Sequence, residues 1–162
     1  LAFDDKTDRL APLAERAGRA GAACIRIAEK RGGPLWENGK FDLVFLDAPC
    51  SGSGTWRRQP ELRWRLTPER LADLTRLQDR LLDQAAGLVK PGGRLVYATC
   101  SILPVENQDR MAGFLERHTG FRALNLAENW AGPALQGLGR DFQASPASTG
   151  TDGFYCAGLF RA

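Results

Sequence analysis

Short apolar runs alternate with helix-period segments along the chain, and this alternation constrains the fold more than any other feature. Phe41-Asp42-Leu43-Val44-Phe45-Leu46 is a nearly continuous apolar run, the pattern of a strand buried on both faces of a parallel sheet. Arg94 to Ala98 predicts the next strand, and Phe121 to Leu126 and Phe154 to Phe160 predict the last two. Leu1-Ala2-Phe3 reads as the end of an earlier strand and Cys24 to Ala28 as a second. Between the runs lie helices. Thr7 to Ala20 carries Leu10, Leu13, Ala14 and Ala17 on one face, with Gly21 after it, and tolerates Pro12 only near its first turn. A long helix starts with Thr67 as N-cap and Pro68 at its first position. Its buried face runs through Leu71, Leu74, Leu77 or Gln78, Leu81, Leu82, Ala85 and Leu88, and Pro91-Gly92-Gly93 ends it. Val105 to His118 predicts a last helix, stopped by Gly120, with His118 as a cap or surface residue. Residues 31–39 and 47–66 read as loops, and the Gly/Ser/Pro-rich residues 129–153 as an irregular excursion. The reading is an open α/β sheet of about six strands.

Size and composition narrow the class. At 162 residues the chain matches one domain, and no repeat or linker marks a second. A hydrophobic share of 43% with 25% charge excludes a disordered chain or a coiled coil. No apolar run approaches the roughly 20 residues that span a bilayer, and the start shows no signal-peptide pattern. Cys24, Cys50, Cys100 and Cys156 are too spread for a disulfide scaffold, and without a CxxC pair, and with His118 the only histidine, no zinc site is expected. The expected setting is a reducing cytoplasm, with no membrane and no metal. The chain opens on Leu1 inside an apolar stretch, so a fragment of something larger is expected.

Charge is informative by position. Trp56 to Arg65 reads W-R-R-Q-P-E-L-R-W-R, and its net +3 equals the excess of the whole chain. Arginine grips phosphate bidentately and tryptophan offers a stacking face, so Arg57, Arg58, Arg63 and Trp64 are candidate nucleic-acid contacts. The plain alternative is a solvated loop with some arginine packing.

In open α/β sheets ligands bind beyond the carboxyl ends of the strands. Three polar groups leave strands here: Asp4, then Asp47-Ala48-Pro49-Cys50, then Thr99-Cys100-Ser101. All three are expected on one sheet edge. Cys24 and Cys156 lie within strands and read as small packing residues. Cys50 and Cys100 lie in turns at strand exits, where a thiol can be exposed and its pKa lowered. A thiolate is what covalent catalysis needs. A Cys50–Cys100 disulfide is the competing idea, against which a reducing compartment argues. Asp4 is placed to accept hydrogen bonds from a ribose, or else to cap the following helix, and Glu29 to face an adenine edge or solvent.

These residues carry a specific resemblance. D-A-P-C-S-G-S-G-T (Asp47 to Thr55) with its Arg/Trp flank resembles motif IV of RNA cytosine-5 methyltransferases of the Fmu/Sun/Nop (RsmB-like) type. K-P-G-G-R-L-V-Y-A-T-C-S (Lys90 to Ser101), with P-V-E-N-Q at Pro104 to Gln108, resembles motif VI. T-D-G-F-Y (Thr151 to Tyr155) resembles the closing segment, and Ala2-Phe3-Asp4 with Arg9-Leu10 resembles motif II. The resemblance spans essentially the whole chain. It implies a Rossmann-like methyltransferase sheet of order 3-2-1-4-5-7-6, S-adenosylmethionine as methyl donor, and cytosine in RNA as acceptor, ribosomal RNA first and transfer RNA second. It implies Cys100 as the thiol that adds to cytosine C6 and Cys50 as the one that resolves the adduct. It implies Asp47 and Pro49 near the cofactor, Asp47 also near the base, Asp4 on the cofactor ribose, and Glu29 matching an acidic motif III position only roughly.

The Gly-rich motif I of that family, and the first strand that carries it, are not present and would precede Leu1. The isolated chain is therefore expected to bind the donor poorly. Three alternatives stay open. Cys50 is the nucleophile if the chemistry follows DNA cytosine-5 enzymes. A non-catalytic RNA-binding module would retain the fold without the reaction. A nucleotide-dependent dehydrogenase is disfavoured because there is no GxGxxG.

Overall fold

The computed structural model describes residues 1–28, 41–132 and 134–162. Residues 1–40 and 41–162 form two compact units, each taken by itself below.

In the first unit, α1 (Thr7–Arg19) half-buries Leu10, Leu13 and Ala17 and leaves Ala14 exposed. The helix runs through Pro12 rather than starting near it. Pro12 is exposed, and its missing N–H costs the helix one interior hydrogen bond. Gly21 ends the helix at φ 63°, with its N–H donating to Gly18 O at 3.1 Å and Ala22 N–H to Ala17 O at 2.9 Å. That pair is a Schellman cap, open to glycine because it has no Cβ to clash at positive φ. The strand expected over Cys24 to Ala28 shrinks to one parallel bridge between Ala2 and Ile27. Ala2 N–H donates to Arg26 O and Ala28 N–H to Ala2 O, a pairing too short to make a ladder. Cys24 is consequently exposed in a turn and is not a packing residue. The loop expected over residues 31–39, and Glu29, lie outside the described residues.

In the second unit, β1 (Phe41–Asp47) pairs in parallel with β2 (Val89–Thr99). Between them run α2 (Glu61–Trp64) and α3 (Pro68–Leu88). Thr67 caps α3 by accepting from Arg70 N–H at 3.2 Å, and Pro68 occupies the first position. The helix buries Thr75, Gln78, Leu82, Ala85 and Ala86, so Gln78 and not Leu77 takes the inward position. Lys90 to Gly93 loops out of the β1–β2 register, with Gly92 at φ 75°.

After β2 a 3-10 turn (Pro104–Glu106) precedes α4 (Gln108–Arg117), which therefore starts later than the expected Val105. β3 (Phe121–Ala123) is shorter than expected. Then come α5 (Leu126–Asn129), β4 (Phe142–Ala144) and α6 (Pro146–Thr149). β4 corrects the reading of residues 129–153 as wholly irregular, because it is held by pairing with β5 (Phe154–Arg161) and not by its own pattern. The sheet order is β1-β2-β5-β3, with β5 antiparallel to both neighbours. This reproduces the 4-5-7-6 end of the expected sheet.

The core lies on one face of the sheet, where Leu95, Tyr97 and Leu159 pack against Leu82 and Phe114. Val44 and Leu46 join it, whereas Leu43 and Phe45 on the opposite face of β1 are 56% and 60% exposed. The apolar run therefore makes a strand buried on one face, not on both, because α3 and α4 cover only that side within this unit.

Candidate active site

Two loops leave the carboxyl ends of adjacent parallel strands. Ala48 N–H donates to Ala98 O at 2.9 Å, extending the β1–β2 ladder one residue beyond Asp47. Gly52, at φ 69°, turns the first loop, and Gly54 N–H donates to Cys100 O at 2.9 Å. The loops bring the Sγ atoms of Cys50 and Cys100 to 3.3 Å, although 50 residues separate them. Both are free thiols at hydrogen-bond distance, not a disulfide.

The pair is electrostatically asymmetric. The hydrogen bond from Cys50 holds Cys100 down to about 7, against the opposing effects of burial and of the nearby Asp47 and Glu106 charges. Cys50 is pushed well above the usual thiol range, first by Cys100 and then by burial. Of the two thiols, Cys100 is thus the one that ionises more readily. Alkylation of Cys100 by iodoacetamide should rise with pH through a midpoint of about 7, because the reactive form is the deprotonated one. Peptide mass spectrometry reads it site by site, and a Cys100 midpoint above that of Cys50 would contradict the assignment.

A polar layer lies beneath the thiols. Glu106 is fully buried. Its Oε1 accepts from Ser51 N–H at 2.8 Å and from Gln78 Nε2 at 3.1 Å. Its Oε2 accepts from Ser51 Oγ at 2.5 Å and from Ser101 Oγ at 2.6 Å. Asn107, also fully buried, accepts from Thr99 Oγ1 at 2.7 Å and donates to Ser101 O at 2.9 Å. The strand-exit pattern places Thr99 and Ser101 at this edge but does not single out Ser51, Gln78, Glu106 or Asn107. The available signal was a glutamine on the apolar face of a helix and a Glu-Asn pair inside P-V-E-N-Q.

The other candidates are placed as follows. Asp47 and Pro49 are exposed on the first loop, and Pro49 O accepts from Gln78 Nε2 at 2.9 Å. Arg57 and Arg58 both pair with Asp152, so their guanidinium groups are held by the Thr151 to Tyr155 segment. That segment stacks backbone to backbone on the first loop. A Cβ on Gly54 would sit 2.2 Å from Gly153 O, so the approach requires glycine there. Trp64 is 81% exposed, with the Arg63 guanidinium 5.8 Å from its ring centre. Asp4 belongs to the first unit, where its carboxylate accepts from Lys6 N–H at 2.8 Å and pairs with Arg9 at 3.5 Å. The structure thus unites the Asp47–Cys50 and Thr99–Ser101 groups. His118 bonds Asp83 at 2.8 Å and stacks on Phe114, away from this chemistry.

The profile described as "16S rRNA methyltransferase RsmB/F" matches residues 1–160. The chain belongs to the RsmB/F family. It is 40% identical over 162 residues to a protein named "Ribosomal RNA small subunit methyltransferase B" from Xylella fastidiosa, covering 99% of this chain and 38% of that relative. A protein of the same name from Shewanella oneidensis is 39% identical over 127 residues, 78% of this chain and 28% of its own length. The chain therefore spans less than two-fifths of these RsmB/F relatives. Among solved structures, a methyltransferase homolog from Pyrococcus horikoshii superposes with a TM-score of 0.78 at 30% identity, covering 99% of this chain and 52% of that one. NSun6 from the same organism, solved with SFG, gives 0.80 at 25% identity over 99% of this chain and 40% of its own. The Rossmann-like methyltransferase fold expected from the motifs is the RsmB/F fold found here. Among the described residues no helix is long and apolar enough to cross a membrane.

Proposed function

We propose that the chain is the part of an RNA cytosine-5 methyltransferase that carries the reacting thiols, acting on ribosomal RNA of the small subunit. The observation that carries this reading is the Cys50–Cys100 pair, two thiols at 3.3 Å on adjacent strand-exit loops, of which Cys100 ionises more readily. Cytosine C5 is too weak a nucleophile to accept a methyl group unaided. Cys100 Sγ adds to C6, forming an S–C bond while the C5–C6 π electrons move to C5. The ring nitrogen takes up a proton from water as C6 is attacked, and Asp47 is assigned to stabilise the positive charge that gathers on the base. Once C5 carries the methyl group, water takes the C5 proton, the C–H bonding pair re-forms the C5–C6 π bond, Sγ departs with the S–C pair, and the ring nitrogen gives up its proton. Cys50, 3.3 Å away, can return a hydrogen bond to the departing thiolate and so assist release.

S-adenosylmethionine, when bound, supplies the electrophilic methyl group on a sulfonium. The residues present fit such a cation: an exposed carboxylate, Asp47, leaves the end of a parallel strand one short loop from the thiols. Asp4 fits a ribose diol, since a carboxylate accepts at both oxygens. Pro49 and Glu29 are further residues assigned to the donor, on the motif resemblance. SFG, an analogue of this donor, in the NSun6 structure supports S-adenosylmethionine as the methyl donor. Trp64 and Arg63 are assigned to base stacking, and Arg57 and Arg58 to RNA phosphate, for which Asp152 competes. The reaction belongs in a reducing cytoplasm, where both thiols persist.

The test is methyl transfer by the complete gene product from labelled S-adenosylmethionine to unmodified small-subunit ribosomal RNA, followed by nucleoside digestion. Label should appear in 5-methylcytidine. Label in any other nucleoside, or RNA binding without transfer, would replace this reading with a different acceptor or with the non-catalytic module.

A further inference from the structure

Glu106 spends a buried charge on two loops. Its carboxylate is fully buried and receives four donors, two on each oxygen, which is its full accepting capacity. Burying a carboxylate is expensive, and an apolar residue would fill this volume at lower cost. The donors explain the choice. Ser51 directly follows Cys50, and Ser101 directly follows Cys100. One carboxylate oxygen, Oε2, joins both hydroxyls, at 2.5 and 2.6 Å. The third partner, Gln78, also bonds Pro49 O and so braces the first loop from α3. Ser53 Oγ to Ser101 Oγ, at 2.9 Å, is a second cross-link between the same loops.

We propose that Glu106 is the positioning residue that locks the two cysteine loops together and thereby holds Cys50 and Cys100 in hydrogen-bond contact. It does not bond either thiol, so it acts through Ser51 and Ser101. The inference rests on the two cysteines being the reacting pair. Its test needs neither RNA nor donor, so its failure is distinct from failure of the methyl-transfer reading.

Positioning and plain charge predict opposite signs. The groups acting on Cys100 are Cys50, Asp47 and Glu106. If Glu106 acted only as a charge, Glu106→Gln would make Cys100 easier to ionise. If it positions the loops, the variant loses the Cys50 hydrogen bond, and Cys100 returns toward an ordinary thiol near 8.5. The measurement is the pH profile of iodoacetamide alkylation on the complete gene product, read per peptide, with exposed Cys24 as internal reference. A midpoint raised by about one unit lowers the Cys100 thiolate fraction at pH 7 about 5-fold, with a matching fall in alkylation rate. A lowered or unchanged midpoint overturns the proposal, and a wild-type midpoint near 8.5 overturns the thiol contact itself. Ser51→Ala and Ser101→Ala each remove one arm while keeping the charge, and each should raise the midpoint by less. They carry the test if Glu106→Gln loses its circular-dichroism signal, and both remaining at the wild-type value overturns the positioning role.

Discussion

Cys100→Ala is expected to abolish both methyl transfer and the covalent RNA adduct, a loss of about 10⁴-fold or more in kcat, the scale reached when a covalent nucleophile is removed. Alanine has no lone pair to add to C6, so C5 never becomes nucleophilic. Cys50 is not expected to substitute: with Cys100 removed, burial and the nearby Glu106 charge still push its thiol up. Cys50→Ala should behave differently. Adduct should still form on Cys100, more slowly near neutral pH because the hydrogen bond that lowers its pKa is gone. Release should then become the slow step. RNA containing 5-fluorocytosine separates the two, since fluorine at C5 cannot leave as a proton and the adduct survives a denaturing gel. Wild type and Cys50→Ala should show the shifted band, and Cys100→Ala should not. A band in Cys100→Ala that vanishes in Cys50→Ala would reverse the assignment and make Cys50 the nucleophile.

Phe114→Ala is expected to cost about 3–5 kcal/mol of stability, the range for deleting a buried aromatic ring. Phe114 has no exposed surface. It stacks on His118 at 4.4 Å and meets the Phe121 ring edge-on at 5.2 Å. Those contacts pin α4, and α4 follows directly from the turn that carries Glu106 and Asn107. The loss should appear as a lower urea midpoint. In the 162-residue chain, Leu43→Ala on the exposed face of β1 should lie within about 0.5 kcal/mol of the unsubstituted chain, as surface substitutions do. Equal costs for the two variants would mean that the core does not lie where α3, α4 and the sheet meet.

The features legible in the sequence were local. The Gly21 cap, the Thr67-Pro68 start and the two parallel strands were each written in a few adjacent residues, through φ preference, missing donors and apolar runs. So was the separation of Cys50 and Cys100 from the other cysteines, since both follow apolar strands into turns. The error at Cys24 came from the same locality: the pattern of a strand was present, but a strand needs a partner long enough to pair with. β4 shows the converse, a segment without strand pattern made into a strand by β5.

Local residue patterns identify the side chains able to do the chemistry: two thiols at strand exits, an aspartate beside one of them, and an Arg/Trp stretch beyond. Which of them meet depends on the folded chain. It set the thiols at 3.3 Å, tied Ser51 and Ser101 to Glu106, and gave Arg57 and Arg58 to an aspartate more than 90 residues away. Periodicity and capping act over a few residues, whereas these contacts close across a sheet edge. Their partners become neighbours only after β1 and β2 have paired.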